Sequence, residues 1–277
     1  MPTLPINGIA LSYDEYGAPG APLVVLVMGT GAPGSVWRSH QVPDFVGAGY
    51  RVVTYDNRGI SPVPGQTDRH CPQIEVPELV DDLAGLIEHL GGPAHVVGTS
   101  LGARIVQELA LARPDLVRCA VAMGAHTRMD DAAHVLTRGE QELFDRSVTL
   151  PPAYRAAVDA LQNLSPATLR DRAKARDWLD ILEYTAAPIS SGERGQLGAT
   201  ERLGDRTHAY REIDRPLLAI GFADDLMIPS YLAREVSDAV PTARYAEVAD
   251  VGHYGYLEQP ELVNRLVLDF LAEERPR

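Results

Sequence analysis

The chain has 277 residues, 45 % of them hydrophobic and 23 % charged, the balance of a soluble globular protein with room for one large core or a core carrying an insertion. Its formal net charge of −13 argues against a nucleic-acid partner, which needs a basic face, and against an anionic lipid surface. The expected partner is a small-molecule substrate, with no nucleic acid and no membrane involved.

Taken in chain order, the sequence opens with a predicted β-hairpin, Leu4 to Ile6 and Ile9 to Tyr13 around Asn7-Gly8, a pair suited to a tight turn. Pro22 to Val27 is a continuous apolar run without alternation, as expected for a strand buried on both faces of a parallel sheet. Tyr50 to Tyr55, His95 to Val97 and Val117 to Met123 share that character. Between them fall two predicted helices, Glu78 to Leu90, stopped by Gly91-Gly92, and Ser100 to Ala112, closed by Pro114. This alternation of strand and helix predicts an α/β protein with a doubly wound, mostly parallel sheet.

After Met123 the alternation stops. The residues from Ala125 to Arg211 carry helical periods and many charges, with Pro152 to Leu161 and Pro166 to Tyr184 as predicted helices. Strand character returns at Leu217 to Ile220 and at Ala243 to Val248, followed by helices at Ser230 to Val240 and Pro260 to Ala272. The expected organisation is a core formed by residues 1–124 and 212–277, with a helical cap, 125–211, inserted between two core strands. The amino terminus has neither a basic region nor an apolar stretch of signal-peptide type, and a cytoplasmic location is expected. The two cysteines, Cys71 in a polar loop and Cys119 in an apolar run, are expected as unpaired thiols.

The chemistry concentrates at three places. In Gly98-Thr99-Ser100-Leu101-Gly102, a serine sits between a predicted strand and a predicted helix, flanked by glycines two positions away on each side. A serine at the tip of so tight a turn needs strained backbone angles, and the glycines remove the side chains that would collide. Its hydroxyl then stands beside a helix amino end, where developing negative charge is favoured. The motif alone is weak, but its strand-then-helix context is the one the chemistry requires.

Together with Val251-Gly252-His253 and the Glu258-Gln259-Pro260 that opens the last helix, this pattern resembles the α/β-hydrolase superfamily. The likeness runs from the first hairpin to the last helix and is weakest over 125–211, where such proteins carry variable caps. The resemblance implies an α/β-hydrolase fold and a triad in the order nucleophile, acid, base: Ser100, an aspartate after the strand Leu217 to Ile220, and His253. The loop Gly221-Phe222-Ala223-Asp224-Asp225-Leu226-Met227-Ile228-Pro229 has one residue more than the family pattern. Counting back from Pro229 selects Asp225 as the acid; counting forward from Gly221 selects Asp224. The proline starts the next helix, so its register carries more weight.

The same resemblance places an oxyanion hole at the backbone N–H groups of Thr30 and Leu101. Met28 departs from the family, which usually has histidine there as a brace for the loop. The loop Asp56-Asn57-Arg58-Gly59-Ile60-Ser61 is a shortened form of a family loop, and Asp56 and Arg58 are read as structural. Met28, His126 and Trp178 are candidates for the substrate pocket; Tyr154 and Tyr210 are cap tyrosines of undetermined direction. No metal site, phosphate loop or dinucleotide fingerprint is evident, and no cofactor is expected. The implied activity is hydrolysis of an ester, thioester or lactone of a small or medium apolar substrate through an acyl-enzyme. Cofactor-free perhydrolases share the triad. Ring opening, cyclisation or carbon–carbon cleavage in a biosynthetic enzyme, or ligand binding by a receptor on this fold, are the alternatives.

Overall fold

A computed structural model describes residues 2–60 and 73–274. Cys71 and Ser61 lie outside the described residues. The hairpin joins β1 (Thr3–Ile6) to β2 (Ile9–Tyr16), and Asn7 and Gly8 take φ of 44° and 79°, the two left-handed conformations such a turn demands. Next come β3 (Leu23–Val27), a short helix α1 (Gln41–Gly47), β4 (Arg51–Tyr55), α2 (Val76–His89) and β5 (Ala94–Thr99). They are followed by α3 (Leu101–Ala112) and β6 (Val117–Met123). The strands stand in the order β1-β2-β4-β3-β5-β6, continued by β7 (Leu217–Phe222) and β8 (Ala243–Val248). β1 and β2 are antiparallel to their neighbours, and every pairing from β4 onward is parallel.

The unalternating apolar runs have a direct reading. Val25 and Val27 face a cluster with α2, α3 and α10 (Ser230–Ala239); Val24 and Leu26 face the opposite cluster, with α1 and α11 (Pro260–Glu273). Successive side chains of a strand point to opposite faces, and both faces here are covered, so each position is apolar. The loops that carry Ser100 and Asp225 therefore hang from strands of negligible exposure, whereas β8 is a partly exposed edge strand.

Between β6 and β7 the only regular elements among the described residues are helices: α4 (Asp131–Asp145), α5 (Pro152–Asn163), α6 (Pro166–Arg170), α7 (Arg172–Thr185), α8 (Ser191–Gln196), α9 (Ala199–Leu203) and a 3-10 turn at Ala209–Glu212. The helix expected over Pro166 to Tyr184 is broken in two. Asp171 leaves helical geometry, with ψ of 107°, and its carboxylate accepts from the N–H groups of Ala173 and Lys174, capping a new helix. The cap has its own small apolar nucleus, Ala156, Ala160, Leu164 and Leu182. No helix among the described residues is long and apolar enough to cross a membrane.

Candidate active site

Ser100 follows β5 directly and immediately precedes α3, with φ 56° and ψ −119°, a conformation that side-chain-bearing residues rarely adopt. The packing around it forces the flanking glycines. A Cβ on Gly98 would lie 2.1 Å from the carbonyl oxygen of Gly102, and a Cβ on Gly102 would lie 2.2 Å from that of Val27. The turn is held further by the Ser100 N–H, which donates to the Met123 carbonyl of the neighbouring strand at 2.9 Å.

His253 lies on the loop after β8. Its Nδ1 is 2.7 Å from Oδ2 of Asp225, and both side chains are almost wholly buried. The other Asp225 oxygen accepts the N–H groups of Met227 and Ile228, each at 2.8 Å, which fixes the carboxylate's orientation. Of the paired aspartates, His253 meets Asp225; Asp224 is half-buried, and its backbone N–H donates to Val251. Burial alone would lower the basicity of His253, but the charge and hydrogen bond of Asp225 outweigh it and raise the imidazole above its ordinary value. The cap and the family-like Glu258 grip this loop. Glu258 accepts the Gly252 N–H with one oxygen and the Ser165 N–H and hydroxyl with the other.

Ser100 and His253 line one cavity of about 670 Å³, roofed by the cap. Thr30 and Leu101 line it beside Ser100. Gly29 lets the Thr30 loop come close, since a Cβ there would sit 3.1 Å from Cβ of Ser100. Leu101 is the first residue of α3, so its N–H has no partner within the helix.

Two side chains unrecognised in the sequence brace this loop in place of the family histidine that Met28 replaces. Asn57 Nδ2 donates to the Met28 carbonyl at 2.9 Å, and Gln196 Oε1 accepts the Gly31 N–H at 3.0 Å. Gln196 also donates to the Arg58 carbonyl, tying α8 to the core. Asp56 accepts the Gly34 N–H and Arg58 forms a two-pronged pair with buried Asp82, both structural contacts.

The pocket expectations need correction in part. Met28 and His126 line the cavity, but Trp178 does not. Its ring packs on Tyr254, 6.1 Å between centroids, and Tyr254 and Tyr256 form the wall instead. The turns of α7 that reach the cavity carry Ile181 and Thr185. Tyr154 is exposed and Tyr210 is buried beneath Arg104, and neither lines the cavity. At the cap end stand Glu140, Glu193 and the Arg155–Asp159 ion pair. Burial pushes the Glu140 carboxyl up to about 7, against the pull of Arg155, with Glu193 and Asp159 adding to the rise. No group of three or more metal-ligating side chains occurs among the described residues. Cys119 is a buried free thiol.

A mostly parallel sheet with a strained serine between strand and helix, lining one cavity with a buried imidazole–carboxylate pair, defines an α/β enzyme of the hydrolase class. The chain belongs to the α/β-hydrolase fold family, whose model matches residues 22–260. A curated relative from Mycobacterium tuberculosis, named "Putative non-heme bromoperoxidase BpoC", is 44 % identical over 265 residues, covering 95 % of this chain and 98 % of its own. A solved structure of BpoC from strain H37Rv superposes with a TM-score of 0.90 at 42 % identity, covering 97 % of each chain. A relative from Azorhizobium caulinodans, named "Putative carbamate hydrolase RutD", is 27 % identical over 269 residues, covering 95 % of each. The enol-lactonase structure from Burkholderia xenovorans LB400, at 23 % identity and a TM-score of 0.81 over 98 % of this chain and all of the other, shares the fold.

Proposed function

We propose that this hydrolase cleaves an ester-like acyl bond of a small or medium substrate through an acyl-enzyme. Ser100 is the nucleophile, His253 the general base and then acid, and Asp225 the group that orients and charges the imidazole. The observation that carries the reading is the Ser100 turn opening into the same cavity as a buried His253 held at 2.7 Å by Asp225. His253 Nε2 takes the hydroxyl proton as Ser100 Oγ bonds to the carbonyl carbon. The oxyanion forms between the N–H groups of Thr30 and Leu101, and the leaving group departs with the proton from His253. Water, deprotonated by the same imidazole, then releases the acid and restores Ser100.

The name of the BpoC relative favours a second reading on the same machinery. In it, hydrogen peroxide replaces water at the acyl-enzyme, and the product is a peracid, which can oxidise bromide in solution.

A fluorophosphonate probe tests both readings at once. It labels one site in the unaltered protein and none in Ser100→Ala; labelling that persists in the variant contradicts the assignment. Acyl-ester turnover with and without peroxide, read as acid against peracid, then separates the two.

A further inference from the structure

His126 stands at the end of β6, on the cavity wall, and only 3 % of it is exposed. Its backbone is fixed by the nucleophile's own helix: Arg104 Nη1 and Gln107 Nε2, both on α3, donate to the His126 carbonyl at 2.9 and 3.1 Å. Its ring is fixed as well, because Nδ1–H donates to the Gly124 carbonyl at 3.1 Å. That bond selects the tautomer and leaves a lone pair on Nε2. No hydrogen bond reaches Nε2 among the described residues, and the His126 side chain is part of the cavity wall. Burial, then the charge of Arg104, push the imidazole's protonation down to about 3, so it stays neutral at working pH.

A rigid acceptor of this kind, left unmatched in a largely desolvated wall, is disfavoured unless a ligand supplies the donor. The rest of the wall agrees. Its guanidinium groups are engaged, Arg128 with Glu235 and Asp130 and Arg155 with Asp159.

We infer that Nε2 of His126 is a specificity determinant which accepts a hydrogen bond from a hydroxyl or N–H group carried by the substrate near its reacting carbonyl. The inference rests on the acyl-hydrolase reading and narrows it to hydroxy- or amino-substituted acyl compounds. Donor-less analogues leave the acceptor unpaired and are rejected, the stronger form of discrimination available to a polar site.

The test is a panel of phenyl esters: 2- and 3-hydroxybutanoate, the methyl ethers of both, and butanoate. In the unaltered protein at least one hydroxy ester should exceed its methyl ether and butanoate by about tenfold in kcat/KM. His126→Phe, which cannot accept, should collapse that ratio towards one, and His126→Gln, which can, should keep most of it. Equal rates for hydroxy ester and ether in the unaltered protein overturn the inference, whether or not a variant folds. So does a ratio that survives in His126→Phe. Fluorophosphonate labelling of the same preparation separates the failures: labelled protein without discrimination defeats the His126 role alone, and unlabelled protein defeats the hydrolase reading and this inference with it.

Discussion

The sheet side of the cavity and its cap side differ in how firmly their groups are held. Ser100 and Asp225 follow strands buried along their whole length. The Ser100 N–H donates to the Met123 carbonyl, the Asp225 carboxylate accepts the N–H groups of Met227 and Ile228, and His253 is held by that same carboxylate. On the cap side, α4 buries none of its residues and α7 buries only Leu182, so their side chains rest on a small nucleus and on ion pairs. Elements with few buried apolar contacts open at the lower end of a protein's free-energy range. On the proposed reading, the reacting groups stand on the firmly held side, together with His126, and the helices between β6 and β7 form the side that is cheaper to alter. The cap contributes one rigid element, α8, whose Gln196 reaches the oxyanion loop.

Changes to the triad on the sheet side should therefore act on rate, and changes on the cap side chiefly on stability. The largest effect is expected from Asp225→Asn. It removes the acceptor that sets the His253 tautomer and should lower kcat/KM by roughly 10³- to 10⁴-fold with little change in fold, as read by circular dichroism. It also moves the pH profile. The carboxylate raises the His253 pKa, and the base must be neutral, so activity in the unaltered protein falls as pH drops through that raised value. In Asp225→Asn the acid limb of the residual activity should shift to lower pH; an unmoved limb would detach His253 from Asp225.

A middle-sized effect tests the element that crosses between the two sides. Gln196→Ala frees the Gly31 N–H and loosens the Thr30 loop, which should lower kcat by about tenfold with KM nearly unchanged. A rise in KM alone would make Gln196 a pocket residue and no brace.

The smallest effect belongs to the cap. A carboxyl whose folded pKa is raised to about 7 binds a proton that the unfolded chain has released, so its ionisation destabilises the fold as pH rises between the two values. Glu140→Gln should then raise the melting temperature by a few degrees at pH 8, on the order of 1–2 kcal/mol, and change it little near pH 4.5. An equal gain at both pH values would remove the electrostatic explanation.

How much of this was legible in the sequence follows from the range over which each contact acts. The Ser100 turn is a local steric problem, and Gly98 and Gly102 advertise it. The double-sided burial of β3 shows as an unbroken apolar run, and β4 to β6 are apolar runs interrupted by Arg51, Thr54, His95, Thr99 and Arg118. The acid was ambiguous because Asp224 and Asp225 are adjacent, and only the approach of His253, 28 residues on, separates them. The braces were invisible for a similar reason: Gln196 meets Gly31 across 165 residues, and an amide side chain in a charged segment carries no signal of its own. The cap misled most. Trp178 reads as a pocket aromatic but packs behind Tyr254, and a helix lightly held on one face leaves too weak a period to orient its residues.

The central claim is that Ser100 attacks beneath two backbone donors, and a crystal structure of the phosphonate adduct tests it most directly. The account predicts phosphorus bonded to Ser100 Oγ, one phosphonyl oxygen about 2.7–3.1 Å from the N–H nitrogens of both Thr30 and Leu101, and His253 Nε2 within hydrogen-bond reach. An adduct on another residue, or a phosphonyl oxygen turned away from both amides, would contradict it.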